Sequence, residues 1–225
     1  MPNWCSNRME VTGPLNEQQR FLTAITQTDD EGRTFYRILE SLLPMPEVLN
    51  GTQSPSPDSP EPHPNWAVSL ANGEITQEWH DELVRERRAR YDKAQEARAA
   101  TGHVDWYSWQ ASNWGVKWGD SNVSVEANTD SLTVLFDTPW GPPTEGLERV
   151  SRLFPTLTFL LGCTEEGMAF IGAASFRNGE VEEASAEYPG CDEYDDDDDV
   201  AQQAAWDAQW EKAESRLTSL MESLR

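Results

Sequence analysis

The sequence lacks any apolar run near the roughly 18 residues that a membrane-crossing helix needs. Cysteine is scarce: Cys5, Cys163 and Cys191 are the whole set, and no CxxC pair occurs. An odd, scattered set argues against a disulfide framework, a zinc site or an iron–sulfur cluster, and it fits a reducing compartment. Histidine is limited to His63, His80 and His103. No HExxH, Ser-His-Asp, GxGxxG or GxxxxGK[ST] pattern accompanies them. No catalytic residue, metal ligand or cofactor is nominated. Positive charge is also short, with 17 Lys+Arg against 40 Asp+Glu and a net charge of −23. So negative a surface repels nucleic acid and anionic membranes, and it suits a partner with a basic surface. The opening MPNWCSNRMEV does not have the charged-then-apolar layout of a secretory signal, so a cytoplasmic setting is expected.

The chain does have tryptophan and acid. Ten Trp raise the burial capacity of a sequence that is only 37 % hydrophobic. From Glu180 to Arg225 there are 15 acids and 3 bases, so about a fifth of the chain holds half the net charge. The densest run is Asp192, Glu193, Asp195, Asp196, Asp197, Asp198 and Asp199. Adjacent like charges keep such a segment solvated, and without alternating ligands or a bending glycine it is not a calcium loop.

Hydrophobic periodicity predicts the elements. Trp4 to Val11 alternates as a strand, and Asn16 to Gln27 reads as a helix with Asn16 as its cap. Phe35 to Leu43 repeats a helical pattern up to Pro44, and Thr52 to Pro64 is a proline-dense loop. Thr76 to Ala100 is a long charged helix ended by Gly102, followed by a Trp-rich helical piece from His103 to Asn113. Asn122 to Ala127 and Leu132 to Thr138 form a hairpin, and Thr144 caps a helix to Phe154. Strands follow at Thr156 to Cys163, Met168 to Phe176 and Glu180 to Glu187, joined by Glu166-Gly167 and Asn178-Gly179 turns. Trp206, Trp210, Ala213, Leu217, Leu220 and Leu224 mark a C-terminal amphipathic helix over 200–225. With insertions set aside the order is βαββαβ, an α+β, ferredoxin-like split antiparallel sheet with inserted helices, two extra strands and a C-terminal helix. The expected divisions are a domain over 1–190 with a helical insertion at about 50–113, an acidic loop at 191–199, and the helix at 200–225. That helix packs on its own domain or on a partner, a homodimer being the second option.

Three stretches carry a family resemblance: MPNWCSNRMEVTGP at the start, DWYSWQASNWGVKWG from Asp105 to Gly119, and FDTPWGPPTEGLERVSRLFPTLTF from Phe136 to Phe159, followed by Thr164-Glu165-Glu166-Gly167. They resemble the signatures of the YubB-type ferredoxin-like domain family of plasmids and bacteriophages, over most of residues 1–176 outside the proline-rich insertion. The resemblance implies the ferredoxin-like fold and a mobile-element setting in a bacterial host, where antirestriction functions are common. It carries no catalytic residues.

Function is then an expectation with rivals. The first is a non-enzymatic acidic protein that occupies a basic, nucleic-acid-binding surface of a host defence factor, an anti-defence inhibitor acting as a DNA mimic. Its contact residues would be Glu180, Glu182, Glu183 and Glu187 with Asp192, Glu193 and Asp195 to Asp199. The second is a small-ligand or nucleotide module, or an enzyme, using a Trp-lined pocket at Trp106, Trp109, Asn113, Trp114 and Lys117. The third is direct RNA or DNA binding on an open sheet face, which the charge opposes. The bases Arg85, Arg87, Arg88, Arg90, Lys93 and Arg98 scatter around their helix among acids, an ion-pair surface rather than a phosphate site. Glu165 and Glu166 read as exposed turn residues.

Overall fold

The structure, a computed structural model, describes residues 3–190 and 199–225, without the side chains of Asp199 and Ala201. Cys191, Asp192, Glu193 and Asp195 to Asp198 lie outside the described residues. The chain divides into two compact units, one of residues 1–44 and 113–225 and the other of residues 45–112. The expected insertion began near residue 50; the observed unit begins at Met45, because the turn Glu47–Leu49 belongs with the helices.

The larger unit is built on a six-stranded antiparallel sheet. Its strands are β1 (Trp4–Thr12), β4 (Ser121–Ala127), β5 (Ser131–Pro139), β6 (Thr158–Glu165), β7 (Phe170–Arg177) and β8 (Glu180–Glu187), in the order β4-β5-β1-β6-β7-β8. β1 lies between β5 and β6, as the split βαββαβ arrangement requires, and β7 and β8 extend the sheet beyond it. Alternation sets the two faces. On β1, Cys5, Asn7, Met9 and Val11 are buried while Trp4, Ser6 and Arg8 face outward.

Helices α1 (Leu15–Ile25) and α6 (Thr144–Leu153) cover the first face. Phe21, Ile25, Leu147 and Val150 pack there with Met9, Val11, Phe159 and Phe176. The predicted caps shift by one or two residues. Asn16 is not the cap of α1, because the amides of Glu17 and Gln18 donate to the Pro14 carbonyl. Likewise α6 starts at Thr144, with Pro143 in the cap position.

The segment predicted as one helix from Phe35 to Leu43 divides in two. Thr34–Tyr36 is a short strand, β3, paired with β2 (Thr26–Thr28), and only Leu39–Leu42 is helical, as α2. The residues at 34–36 are β-branched and aromatic, and their pairing with β2 outweighs the helical spacing. The amides of Ile38 and Leu39 donate to the buried Asp120 carboxylate at 3.0 and 2.7 Å, so a residue about eighty positions away caps α2.

The second face carries α7 (Asp199–Ser223). Ala213, Leu217 and Met221 bury against Leu160, Ile171 and Ala173 of β6 and β7. A Cβ at Gly162 would lie 2.6 Å from Met221 Sδ and 2.9 Å from Leu217 Cδ1, so the bare glycine forms the slot that seats the helix. The helix docks on its own sheet.

The smaller unit holds α3 (Pro64–Ala71), α4 (Gln77–Thr101) and most of α5 (Trp106–Asn113). Thr76 caps α4 by accepting from the Trp79 amide, and Gly102 ends it at a φ of 82°. His63 caps α3, its Nδ1 accepting from the Asn65 amide at 3.3 Å. Asp105 caps α5 by accepting from the Ser108 amide at 2.8 Å. Three of the basic residues of α4 have partners: Arg88 pairs with Asp92 on the same helix at 3.0 Å, Arg87 pairs with Asp58 at 3.1 Å, and Arg90 donates to the Pro55 carbonyl. Among the described residues, no helix is long and apolar enough to cross a membrane.

Candidate binding cleft

Among the described residues, the outer face of the sheet is covered over only half its width: α7 packs on β6, β7 and β8, and no described helix packs on β4, β5 and β1, with Leu135 exposed on β5. Where cover ends, a groove of about 590 Å³ runs along the helix, floored by Ser6, Arg8, Leu135 and Asp137 and walled by Trp210 and Glu214. It continues into a cleft of about 370 Å³ that shares Ser6, Thr164 and Trp210 and adds Asn3, Trp4, Glu165 and Glu166.

Tryptophans dominate this end of the sheet. Trp4 is 44 % exposed, Trp140 is 40 % exposed and Trp210 is 48 % exposed. Trp4 meets Trp118 edge-on at 6.5 Å, and Trp118 meets Trp140 at 5.3 Å. The Lys117 ammonium lies 5.2 Å from the Trp118 ring centroid and 5.3 Å from that of Trp140, a cation–π contact already built into the cluster. Trp140 holds a left-handed φ of 62°, rare for a bulky side chain, while its amide donates to the Asn3 carbonyl. Beneath the rings, Asn7 Nδ2 donates to Thr138 Oγ1 at 2.8 Å, and Thr138 Oγ1 donates to the Gly141 carbonyl. Residues from the opening stretch (Asn3, Trp4, Asn7), from the second (Lys117, Trp118) and from the third (Thr138, Trp140, Gly141) converge here.

The two adjacent glutamates have separate tasks. Glu165 is 2 % exposed and accepts from the amides of Gly167 and Met168, which fixes the β6–β7 turn. Glu166 is exposed and accepts from the Tyr188 hydroxyl at 3.3 Å. That hydroxyl is pushed up to about 12 by burial and then by the charges of Glu166 and Glu214. Glu166 thus places a carboxylate at the rim of the cleft, which adjoins the C-terminal end of β8. The thiols of Cys5 and Cys163 are buried on the opposite face; Cys5 keeps its proton, held by a hydrogen bond to Cys163 and by burial.

The sequence-derived sites are placed as follows. Glu180, Glu182, Glu183 and Glu187 are all exposed on the edge strand β8, and among the described residues none makes an ion pair. Register sends Glu183 and Glu187 to one face and Glu182 to the other, so the acids line the edge rather than one face. The acidic run at 192–198 lies outside the described residues, as does the side chain of Asp199. Of the alternative pocket, Trp106 and Trp109 belong to the smaller unit, and Asn113, Trp114 and Lys117 to the larger. Trp114 is a packing residue, buried with Nε1 donating to the Leu43 carbonyl at 2.9 Å. Trp206 and Trp210, assigned to the buried stripe of α7, are each about half exposed. Sequence reasoning missed Trp4 and Trp210 as cleft walls; the signal was a tryptophan in the opening motif and another at the start of the stripe.

Residues 113–214 match the family model described as the ferredoxin-like domain in Api92-like protein. The crystal structure of protein api92 from Yersinia pseudotuberculosis aligns with 86 % of this chain and 100 % of its own, at 13 % identity and a TM-score of 0.45. No curated protein matches the chain. The fold is ferredoxin-like α+β, and its second half is similar in sequence to the ferredoxin-like domain of Api92-like proteins.

Proposed function

We propose that this is a non-enzymatic, cytoplasmic interaction protein of a plasmid or bacteriophage that occupies a basic, nucleic-acid-binding surface on a host defence factor. The observation that carries the reading is β8, an edge strand with four exposed glutamates and no ion pair for any of them among the described residues. In sequence it leads straight into Asp192, Glu193 and Asp195 to Asp199. Carboxylates spaced along an extended edge imitate the charge of a phosphate backbone, steer encounter with a basic surface and compete with nucleic acid for it. The mobile-element setting rests on the YubB-type resemblance of the three Trp-bearing stretches.

The test is capture from a bacterial lysate at low and high salt, followed by elution with double-stranded DNA. Captured proteins should be released by DNA and by salt. A variant with Asp195 to Asp199 changed to Asn and the four β8 glutamates changed to Gln should capture far less, mainly through slower association. Capture unaffected by that variant, or direct micromolar binding of DNA by the protein, would overturn the proposal.

A further inference from the structure

The structure assigns a second contact to the same function: the cleft between Trp4 and Trp210, with Glu166 at its rim, receives the guanidinium of an arginine side chain from the basic partner. This deepens the proposed function and rests on it for the partner's identity.

The chemistry of the lining selects the ligand. The lining of this cleft includes two tryptophans, two glutamates and no basic side chain among the described residues. Its volume of about 370 Å³ is at the small end of ligand sites, which span about 300–1,000 Å³. Half-exposed indole faces attract cations, and a nearby carboxylate adds a charge-assisted hydrogen bond. A guanidinium satisfies both at once, because its plane stacks on a ring while its edge donates to a carboxylate. Phosphate and carboxylate ligands are repelled there, because the lining carries the Glu165 and Glu166 carboxylates and no base among the described residues. Glu165 is held by the turn amides, so Glu166 is the carboxylate with acceptor capacity for a ligand. The neighbouring Arg8 lines the broader groove and not this cleft, and it lies 4.0 Å from Glu10. The same aromatic cluster already carries one cation, Lys117, over Trp118 and Trp140.

Continuity with β8 supports an arginine that belongs to a larger basic surface. The Tyr188 amide donates to the Ala169 carbonyl, and its hydroxyl donates to Glu166, so the strand that carries the four glutamates ends against the turn that forms the cleft. A basic segment lying along β8 reaches Glu166 and the Trp210 ring at its end.

The test uses the full-length protein and a synthetic peptide of alternating arginine and glycine, with the same peptide carrying citrulline for arginine as its neutral isostere. Tryptophan fluorescence and calorimetry report binding. The arginine peptide should bind and shift tryptophan emission, and the citrulline peptide should bind at least tenfold more weakly. Glu166→Gln and Trp210→Ala should each weaken the arginine peptide by roughly tenfold. Glu166→Gln alters only an exposed side chain, so it decides the matter if Trp210→Ala proves poorly folded. Equal binding of the two peptides, or affinity for the arginine peptide unmoved by Glu166→Gln, overturns the inference; stacking of a neutral group would give the first result. The proposed function is tested separately by neutralising β8 and the acidic run. If that variant loses capture from lysate while Glu166→Gln and Trp210→Ala keep it, the decoy reading stands and the cleft does not. If the arginine peptide binds with Glu166 and Trp210 dependence but no lysate protein is released by DNA, the cleft stands and the decoy reading falls.

Discussion

Leu217→Ala is the perturbation that most directly probes how the outer face is built. Leu217 is 5 % exposed, and its Cδ1 reaches to where a Cβ of Gly162 would be. Truncation removes three methyl(ene) carbons and opens a void against bare strand backbone. The sheet has no side chain at Gly162 to refill it, so the cost should fall in the upper part of the usual range for a buried leucine, about 3–5 kcal/mol. The penalty is borne first by α7, a helix held by the buried cluster of Leu217 with Leu160, Ile171, Ala173, Ala213 and Met221, by Arg216 donating to the Glu187 carbonyl and by Arg225 on Glu10 at 2.7 Å. Exposed pairs of that last kind contribute about 1 kcal/mol or less, so they cannot hold the helix once the apolar contact is lost. Amide hydrogen exchange over 199–223 should then accelerate by about a hundredfold or more, since each 1.4 kcal/mol is roughly a factor of ten. Exchange in β1 and β5 should change much less. The control is the exposed Thr218→Ala, which should leave exchange nearly unchanged. Equal exchange in Leu217→Ala and Thr218→Ala would refute the assignment of α7 to the sheet through Gly162.

Asp120→Ala should cost roughly 2–5 kcal/mol in urea denaturation, because it orphans the buried amides of Ile38 and Leu39; an unchanged midpoint would contradict the capping role. Burial holds the Asp120 carboxyl above its ordinary value despite those two donors, so its contribution to stability is largest below pH 3.8 and falls as pH rises through the folded-state value. The advantage of the wild type over Asp120→Asn should shrink across that window. Gly146→Ala places a Cβ 2.6 Å from Leu39 Cδ2 and 3.1 Å from the Trp114 carbonyl oxygen, so overpacking should lower the urea midpoint by the equivalent of about 1–3 kcal/mol; a tolerated alanine would show that α6 shifts freely. Tyr188 is protonated in the native state up to about pH 12, so the wild type should lose stability relative to Tyr188→Phe between pH 10 and 12, and Glu166→Gln should narrow that window; parallel melting curves across this range would count against the negative field at Tyr188.

Much of the scaffold was legible because its signals are local. The alternation in Trp4 to Val11, the hairpin around Thr129-Asp130 and the turns at Glu166-Gly167 and Asn178-Gly179 each define an element within a few residues, and the βαββαβ order follows from them. Local pattern failed at Phe35, where pairing with β2 was worth more than helical spacing, and at α2, whose cap comes from Asp120. The acidic edge was legible as composition, but its division between two faces required the register of β8 on β7. The cleft was not legible. Trp4 and Trp140 stand far apart in sequence and come together because β1 pairs with β5, and Trp118 joins them from the segment before β4. Trp210 fits the apolar spacing of α7 equally well whether the sheet beneath it is covered or open.

The position of the cleft follows from where the outer face stops being apolar. On β6 and β7 the outward residues Leu160, Ile171 and Ala173, with the slot at Gly162, present a surface that water leaves at a gain, and α7 settles there. One strand over, the outward residues become Ser6, Arg8 and Glu10 on β1, then Asp137 on β5 and Ser124 on β4, with Leu135 the exposed apolar exception. A helix laid on those groups would have to desolvate the Arg8 and Asp137 charges, a cost that opposes the burial of its apolar stripe. Cover by the described residues therefore ends at β6, and Trp210, half exposed, lines the groove and the cleft at that boundary. The same stripe that fixes α7 at Ala213, Leu217 and Met221 thus carries its N-terminal tryptophans beyond the apolar ground. A half-wet indole at the boundary, facing Glu166 and the opening-motif Trp4, is the direct consequence of a binary pattern that changes between two neighbouring strands.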